Sequence, residues 1–267
     1  IIEPFFERQF IFDSYANRIG KGTHKALDRT TYFLRRYRYV MHLDIQQFFP
    51  AIDHEVLLGI LSRKIKDEKV MGLIKKIVAS GAGVQASEYE MVFFDGDTLF
   101  AANRPRGLPI GNLTSQHWAN VYLNELDQCV KRTLKCKAYL RYVDDFLLFA
   151  NEKQTLRFWK KEIVLFLEKK LRLTIHENKA HARPCHTGVS FLGFQVFPEY
   201  RRLKPANGYA YQRRLRKMVG NLKAGDLSEK EFQMCLRCWL NHASYGDTLG
   251  LRKAILKNVG IYGGGDE

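Results

Sequence analysis

The 267 residues predict an α+β fold. Three observations carry that expectation. Residues 39–49 (YVMHLDIQQFF) have the β-branched and aromatic content of a strand and stop at Pro50. Residues 138–150 (AYLRYVDDFLLFA) place two apolar arms around an acidic pair, the pattern of a β-hairpin. Apolar residues at helical spacing fill most of the rest, including the C-terminal tail.

In chain order, residues 14–30 read as a polar loop entering a helix. Asp53 caps a helix that gathers Val56, Leu57, Ile60 and Leu61 on one face. Another helix is expected over 68–79, then strands and loops over 81–113. Trp118, Val121, Tyr122, Leu126 and Val130 mark a long helix from Ser115 to Leu134. The hairpin is followed by a helix at 153–170 and by strands near 172–177 and 189–197. The tail is helical and opens on a basic segment, YQRRLRKM.

Formal net charge is +15, from 43 Lys+Arg against 28 Asp+Glu. That excess suits a polyanion partner, because Lys and Arg on phosphates release counterions. It also suits a basic surface that only keeps the protein soluble. Between Tyr200 and Lys223 there are eight Lys/Arg and no acid, which favours nucleic acid. No apolar run approaches the ~20 residues of a membrane helix, and no signal peptide is visible. Five cysteines without a regular framework suggest a reducing, cytoplasmic compartment. Cys235 and Cys238 form a lone CxxC in an apolar helical stretch and read as core thiols rather than zinc ligands. Ile1 is not a methionine, so the natural protein is expected to start earlier.

Asp144 and Asp145 fall where the hairpin should turn. Adjacent carboxylates beside apolar strands are either a solvent-facing turn or a cation site. The pair alone favours the turn, and Asp44 shifts the balance toward a cation site. An Asp within an apolar strand needs a partner, and a divalent cation shared with the hairpin supplies one. Mg²⁺ prefers such oxygens, and Mn²⁺ would suit the same set. Two ions ~3.5–4 Å apart can hold the attacking and leaving oxygens of an in-line phosphoryl transfer.

At this point the sequence resembles a known family. LDIQQFF around Asp44 is similar to the first catalytic motif of reverse transcriptases, and RYVDD (Arg141 to Asp145) to their YxDD box. Four more segments follow the family's order: SYANRIGKGTHKAL (14–27), GLPIGNLTSQ (107–116), HENKA (176–180) and FLGF (191–194). The resemblance implies a right-hand polymerase: partial fingers and a palm with an antiparallel sheet over 1–200, and a helical thumb over 201–267. It implies dNTPs, a primed template RNA, a cDNA product and no membrane.

Residue by residue, the resemblance assigns Asp44, Asp144, Asp145 and the main chain of Ile45 to two Mg²⁺ ions. It assigns Ile45, Gln46, Gln47 and Phe48 to the triphosphate, and Phe49 to a steric gate against a ribose 2′-OH or, equally, to the core. Ile110, Gly111, Gln116 and Lys179 are expected near the nucleotide, Lys179 otherwise being a solvated loop residue. Arg18, Lys21, Ser115, Tyr142, the primer-grip segment Phe191, Leu192 and Gly193, and the helix residues Arg213, Arg214, Arg216 and Lys217 are expected along template and primer. IGKGTHK (19–25) lacks phosphate-loop spacing and reads as a basic fingers loop.

Two departures matter. Group II intron-like enzymes carry QGxxxSP where this chain reads IGNLTSQ, so Ile110 replaces Gln and Gln116 replaces Pro. That exchange resembles diversity-generating retroelements, bacterial or phage-encoded, which copy RNA with errors at adenines and use a small basic oligomeric accessory protein. Losing a polar contact near the nascent pair weakens discrimination. Retron, group II intron and defence-type enzymes are the neighbouring alternatives. A silent RNA-binding polymerase fold is the alternative from another class. Also, strands carrying basic triphosphate contacts precede, in the family, the segment that opens here at Ile1.

Overall fold

A computed structural model describes residues 2–83, 87, 89–109 and 111–257. It falls into two compact units, Ile1–Pro184 and Cys185–Glu267. The first contains helices α1 (Glu3–Glu7) and α2 (Thr23–Arg36), strand β1 (Tyr39–Asp44), and helices α3 (Phe48–Ala51), α4 (His54–Ser62), α5 (Glu68–Ala79) and α6 (Leu113–Gln128). Strands β2 (Tyr139–Tyr142) and β3 (Asp145–Ala150), helix α7 (Lys153–Phe166) and strand β4 (Ala182–Pro184) complete it. Its sheet has the order β2-β3-β1-β4, and every neighbouring pair is antiparallel.

The core lies between this sheet and the helices α4 to α7. Met41, Leu43, Phe146, Leu148, Trp118, Tyr122 and Leu126 are buried in it. In β1 the side chains of Val40, Met41 and Leu43 are buried, whereas His42 and Asp44 are only partly covered. The period-2 alternation of a strand thus brings His42 and Asp44 to one face.

Local chemistry ends each element. The expected strand over 39–49 stops at Asp44, because Gln46 donates its amide to Thr174 O at 2.9 Å and Gln47 turns left-handed at φ +47°. The Asp53 carboxylate accepts from Val56 N at 3.1 Å and starts α4; Asp67 does the same for Val70 N at 2.9 Å in α5. The long helix runs as α-helix to Gln128 and as a π turn over Cys129–Thr133. The strands expected over 81–113 are replaced, among the described residues, by a 3-10 turn at Leu99–Asn103 and a lone bridge between Asp53 and Arg106. The strand expected near 172–177 is reduced to a bridge between Ile45 and Ile175.

The second unit has strands β5 (Val189–Phe191), β6 (Phe194–Val196) and β7 (Arg201–Leu203) in sequential antiparallel order, then helices α8 (Pro205–Ala224), α9 (Glu229–Ala243) and α10 (Leu249–Lys257). The strand expected over 189–197 is split by a two-residue turn, Leu192–Gly193, with φ of +47° and +85°. Positive φ at both positions matches the right-handed twist of a hairpin. A Cβ on Gly193 would lie 2.8 Å from Asn207 Nδ2, a side-chain end that can shift, so it is the positive φ that calls for glycine there. The helices close around Tyr211, Leu215, Met218, Phe232 and Ile255, with Tyr211 stacked on Trp239 at 4.0 Å. Cys235 is partly buried beside this cluster, but Cys238 is exposed and so is not the core thiol expected. The units divide ahead of the expected 200/201 boundary. The small sheet belongs with the helices: Phe194 packs on His242, and Asp247 N donates to Arg201 O at 2.7 Å.

Asp53 is 2% exposed and ties three segments together: it caps α4 and pairs with Arg172 (2.8 Å) and Arg104 (3.2 Å). Asp53→Ala takes one partner from each of two guanidinium groups, leaving Arg104 on Asp97 and Arg172 on Glu55, and opens the helix end; it should cost about 2–4 kcal/mol in urea denaturation. A loss below about 1 kcal/mol would show that the network is incidental.

Candidate active site

The register pairs Asp44 with Asp145 across β1 and β3, and Tyr142 with Asp145 across the hairpin. Val143 and Asp144 are therefore the turn. Ile45 N approaches Asp144 O at 3.4 Å, which holds the turn against the end of β1. The register thus brings Asp44, Asp144 and Asp145 together at one end of the two inner strands, β1 and β3.

What holds the turn was not foreseen. Val143 is β-branched yet adopts φ +55°, a conformation that costs such a residue of the order of 1–3 kcal/mol. Arg141, fully buried two residues earlier, donates to Val143 O at 3.0 Å. Its other nitrogens grip Asp127 of α6 bidentately at 2.8 and 2.7 Å, and Asn120 at 3.2 Å. Tyr139 donates to the same Asp127 at 2.7 Å. The signal was present, since a charge inside an apolar strand needs a partner and Asp127 sits on the apolar face of α6.

His42 was also missed. It stands diagonally across from Asp145 on the shared face, and its Nε2 lies 2.8 Å from Asp145 Oδ1. A carboxylate only accepts, so the ring donates from Nε2. On the other side, the segment after Arg172 follows the end of β1: His176 N donates to Asp44 O at 2.9 Å. That contact brings Lys179, on a 3-10 turn, to Asp44, where Nζ meets Oδ2 at 3.0 Å.

Electrostatically the cluster is acidic and short of positive charge. Burial pushes the Asp144 carboxyl up to about 6, and the neighbouring Asp145 and Asp44 add to it. Hard oxygen donors carrying uncompensated charge fit a divalent cation in type. They are not drawn into a cage: among the described residues no three acidic, His or Cys side chains are gathered closely enough to enclose an ion. Asp44 is turned to Lys179 and Asp145 to His42.

The remaining expected residues divide. The amides of Ile45 and Gln46 are used within the fold, so neither is available to a triphosphate. Phe48 is buried and Phe49 partly buried against the core. Gln47 accepts from Glu90 N at 3.1 Å. Gly111 has φ +98° and open space where a Cβ would stand, so backbone conformation rather than crowding calls for glycine. Gln116 is partly buried in the first turns of α6, and Ile110 lies outside the described residues. Tyr142 is half-buried, its hydroxyl 3.0 Å from Thr23 Oγ1.

Two expected template contacts are corrected. Arg18 points inward, paired with Glu7 at 2.7 Å and donating to Ile11 O and Ser14 O; it fastens the loop instead. Ser115 is 1% exposed inside α6 and cannot reach a template. Lys21 is spent locally on Phe12 O at 2.7 Å. In the second unit, Phe191 is buried and Leu192–Gly193 form the turn, while Arg213, Arg214, Arg216 and Lys217 are all exposed on α8 opposite buried Tyr211, Leu215 and Met218.

A family model described as "Reverse transcriptase (RNA-dependent DNA polymerase)" matches residues 1–196. The "Group II intron-encoded protein LtrA" of Lactococcus lactis subsp. cremoris is 23% identical over 258 residues, covering 73% of this chain and 41% of LtrA. "Protein YkfC" of Escherichia coli is 25% identical over 232 residues, covering 73% of this chain and 58% of YkfC. The chain therefore spans less than two thirds of either relative. Among solved structures, apo telomerase from Candida Tropicalis, truncated from its C-terminal domain, aligns with a TM-score of 0.50 and 13% identity over 72% of this chain and 41% of that one. The same telomerase with a fragment of telomeric RNA aligns at 0.50 and 12% over 92% and 42%. At such identities the likeness is one of fold, that of a right-hand polymerase.

Removing the Asp144 charge should relieve the cluster. Asp144→Asn is expected to raise the melting temperature in metal-free buffer by about 2–8 °C and to abolish any further rise on adding Mg²⁺. An unchanged or lower melting temperature in calorimetry would contradict the charge imbalance described here.

Proposed function

The chain belongs to the reverse transcriptase (RNA-dependent DNA polymerase) family, and on that premise we propose that it extends a primer along a template RNA with dNTPs. The observation that carries the proposal is the convergence of Asp44, Asp144 and Asp145 at one end of the inner strands β1 and β3. Asp44 and Asp144 would hold two Mg²⁺ ions, with Asp145 and the carbonyl of Ile45 in support. Bound there, such ions would supply charge neutralisation for the attacking and leaving oxygens of a phosphoryl transfer. His42 keeps one oxygen of Asp145 engaged and would fix the carboxylate's orientation. Lys179, once it leaves Asp44, is placed to meet phosphate charge. Phe49, in α3 and partly buried against the core, would serve as a rigid wall beside the sugar. The exposed basic face of α8 suits a nucleic-acid backbone.

A finer reading places the enzyme among the mutagenic, diversity-generating retroelements, with a small basic accessory protein as partner. Ile110 and Gln116 in IGNLTSQ support it. The group II intron-like alternative is favoured by a different observation, the similarity to LtrA.

Primer extension on an RNA template with Mg²⁺ tests both levels. The parent should extend, and an Asp144→Asn/Asp145→Asn variant should lose at least about a thousandfold, the scale on which charge stabilisation contributes. Sequenced products should show errors opposite adenines that fall in Ile110→Gln. A carboxylate variant as active as the parent would refute the site, and adenine errors unchanged by Ile110→Gln would refute the finer reading.

A further inference from the structure

Upstream of α6, residues 105–108 run beside residues 49–54. His54 N donates to Pro105 O at 3.1 Å, Gly107 N to Ile52 O at 2.9 Å and Leu108 N to Phe49 O at 3.0 Å. Asp53 and Arg106 form an antiparallel bridge between the two segments. The main chain of Phe49 is therefore fastened to the segment that leads to Gly111. On the polymerase reading, Phe49 and Gly111 both stand at the nucleotide.

Two further features hold this segment. Gly107 is buried at φ +96°, and its carbonyl meets the ring of His54, with Nε2 to O at 2.7 Å. A carbonyl only accepts, so the ring donates from Nε2. His54 is 5% exposed, so water does not compete for the bond. Gly81, just past α5, supplies the second feature. A Cβ there would lie 2.9 Å from the same Gly107 O and 2.9 Å from Pro109 Cδ. Gly81 does not take a positive φ, so crowding and not backbone conformation calls for glycine. The atoms in the way are main chain and a proline ring, which cannot swing aside as a long side chain can.

A buried histidine satisfied by one carbonyl commonly serves stability alone. This one differs in its target. Asp53 already caps α4, and three backbone bonds already pair the segments. What the ring and Gly81 add is a fixed place for Gly107, the residue next to the one that bonds Phe49. We propose that His54 and Gly81 are positioning residues for nucleotide choice, setting where Phe49 and the Gly111 segment stand relative to each other. The proposal rests on the polymerase reading above and names what supports its preference for dNTPs over rNTPs. A wall refuses a ribose 2′-OH only while its own support does not yield.

The test is single-nucleotide insertion by the full chain on a primed RNA template with Mg²⁺, measuring kcat and KM for each dNTP and its matching rNTP. His54→Leu removes the donor, and Gly81→Ala adds the crowding methyl. Each should lower the dNTP-over-rNTP ratio of kcat/KM by about tenfold, the loss for dNTP falling on KM rather than on kcat. In His54→Gln the side-chain amide nitrogen can take the place of Nε2, and the ratio should return to within about threefold of the parent's. A merely structural role would lower the active fraction for dNTP and rNTP alike and leave the ratio unchanged. Circular dichroism checks folding, and Gly81→Ala carries the test should His54→Leu not fold. A folded His54→Leu or Gly81→Ala with a ratio within about twofold of the parent's would overturn the proposal. So would His54→Gln as impaired as His54→Leu, which would make the shape of the ring, not its hydrogen bond, the cause. A parent that extends no primer refutes the polymerase reading, and this proposal with it. A parent that extends and discriminates leaves the variants to decide this proposal alone.

Discussion

The Arg141–Asp127 ion pair is the interaction on which the rest of the site depends. Both side chains are fully buried, a placement that is costly unless every donor finds a partner. Here the partners are supplied: Asp127 takes Arg141 twice and Tyr139 once, and Arg141 spends its remaining nitrogen on Asn120 and on the Val143 carbonyl. A buried pair of this kind contributes little net stability compared with apolar side chains of the same size. What it contributes is position. It ties the hairpin tip to α6 and holds Val143 in a conformation a β-branched residue would otherwise leave.

From that fixed turn the electrostatics of the site follow. Asp144 is carried to the end of the inner strands, partly buried, beside two further carboxylates. Each neighbour has a basic side chain on it, His42 on Asp145 and Lys179 on Asp44, whereas Asp144 faces the shortfall. Both contacts come from β1 and from the segment that crosses its end. The site is thus built by three stretches far apart in sequence that share one strand. An arrangement so short of positive charge lowers stability and favours binding of cations, the exchange expected where function opposes folding.

The legibility of the sequence varied with the range of the interaction. Helices set by local caps and periodicity were readable: α5 was expected at 68–79 and spans Glu68–Ala79, and Asp53 caps α4 as expected. The hairpin and the grouping of Asp44 with the acidic pair were readable because charge in an apolar strand demands a partner. Backbone turns were not. Gln47, Val143 and Leu192 all take positive φ without being glycine; hydrogen bonds from Glu90 and Arg141 meet the first two, and the two-residue hairpin turn sets the third. Those turns shortened one expected strand and split another. Arg18 was misread because a surface arginine and a buried clasp look alike in sequence; only Glu7 and two carbonyls distinguish them.

The claim that the Arg141–Asp127 pair acts by position is separable from stability by one paired substitution. Arg141→Met with Asp127→Leu replaces the pair by apolar side chains of similar size, which should preserve folding. The measurement is the Mg²⁺-dependent rise in melting temperature of that double variant beside the parent. The account predicts a melting temperature in metal-free buffer close to the parent's, with the Mg²⁺-dependent rise lost because Val143 is no longer held. A double variant that keeps the full rise would contradict it.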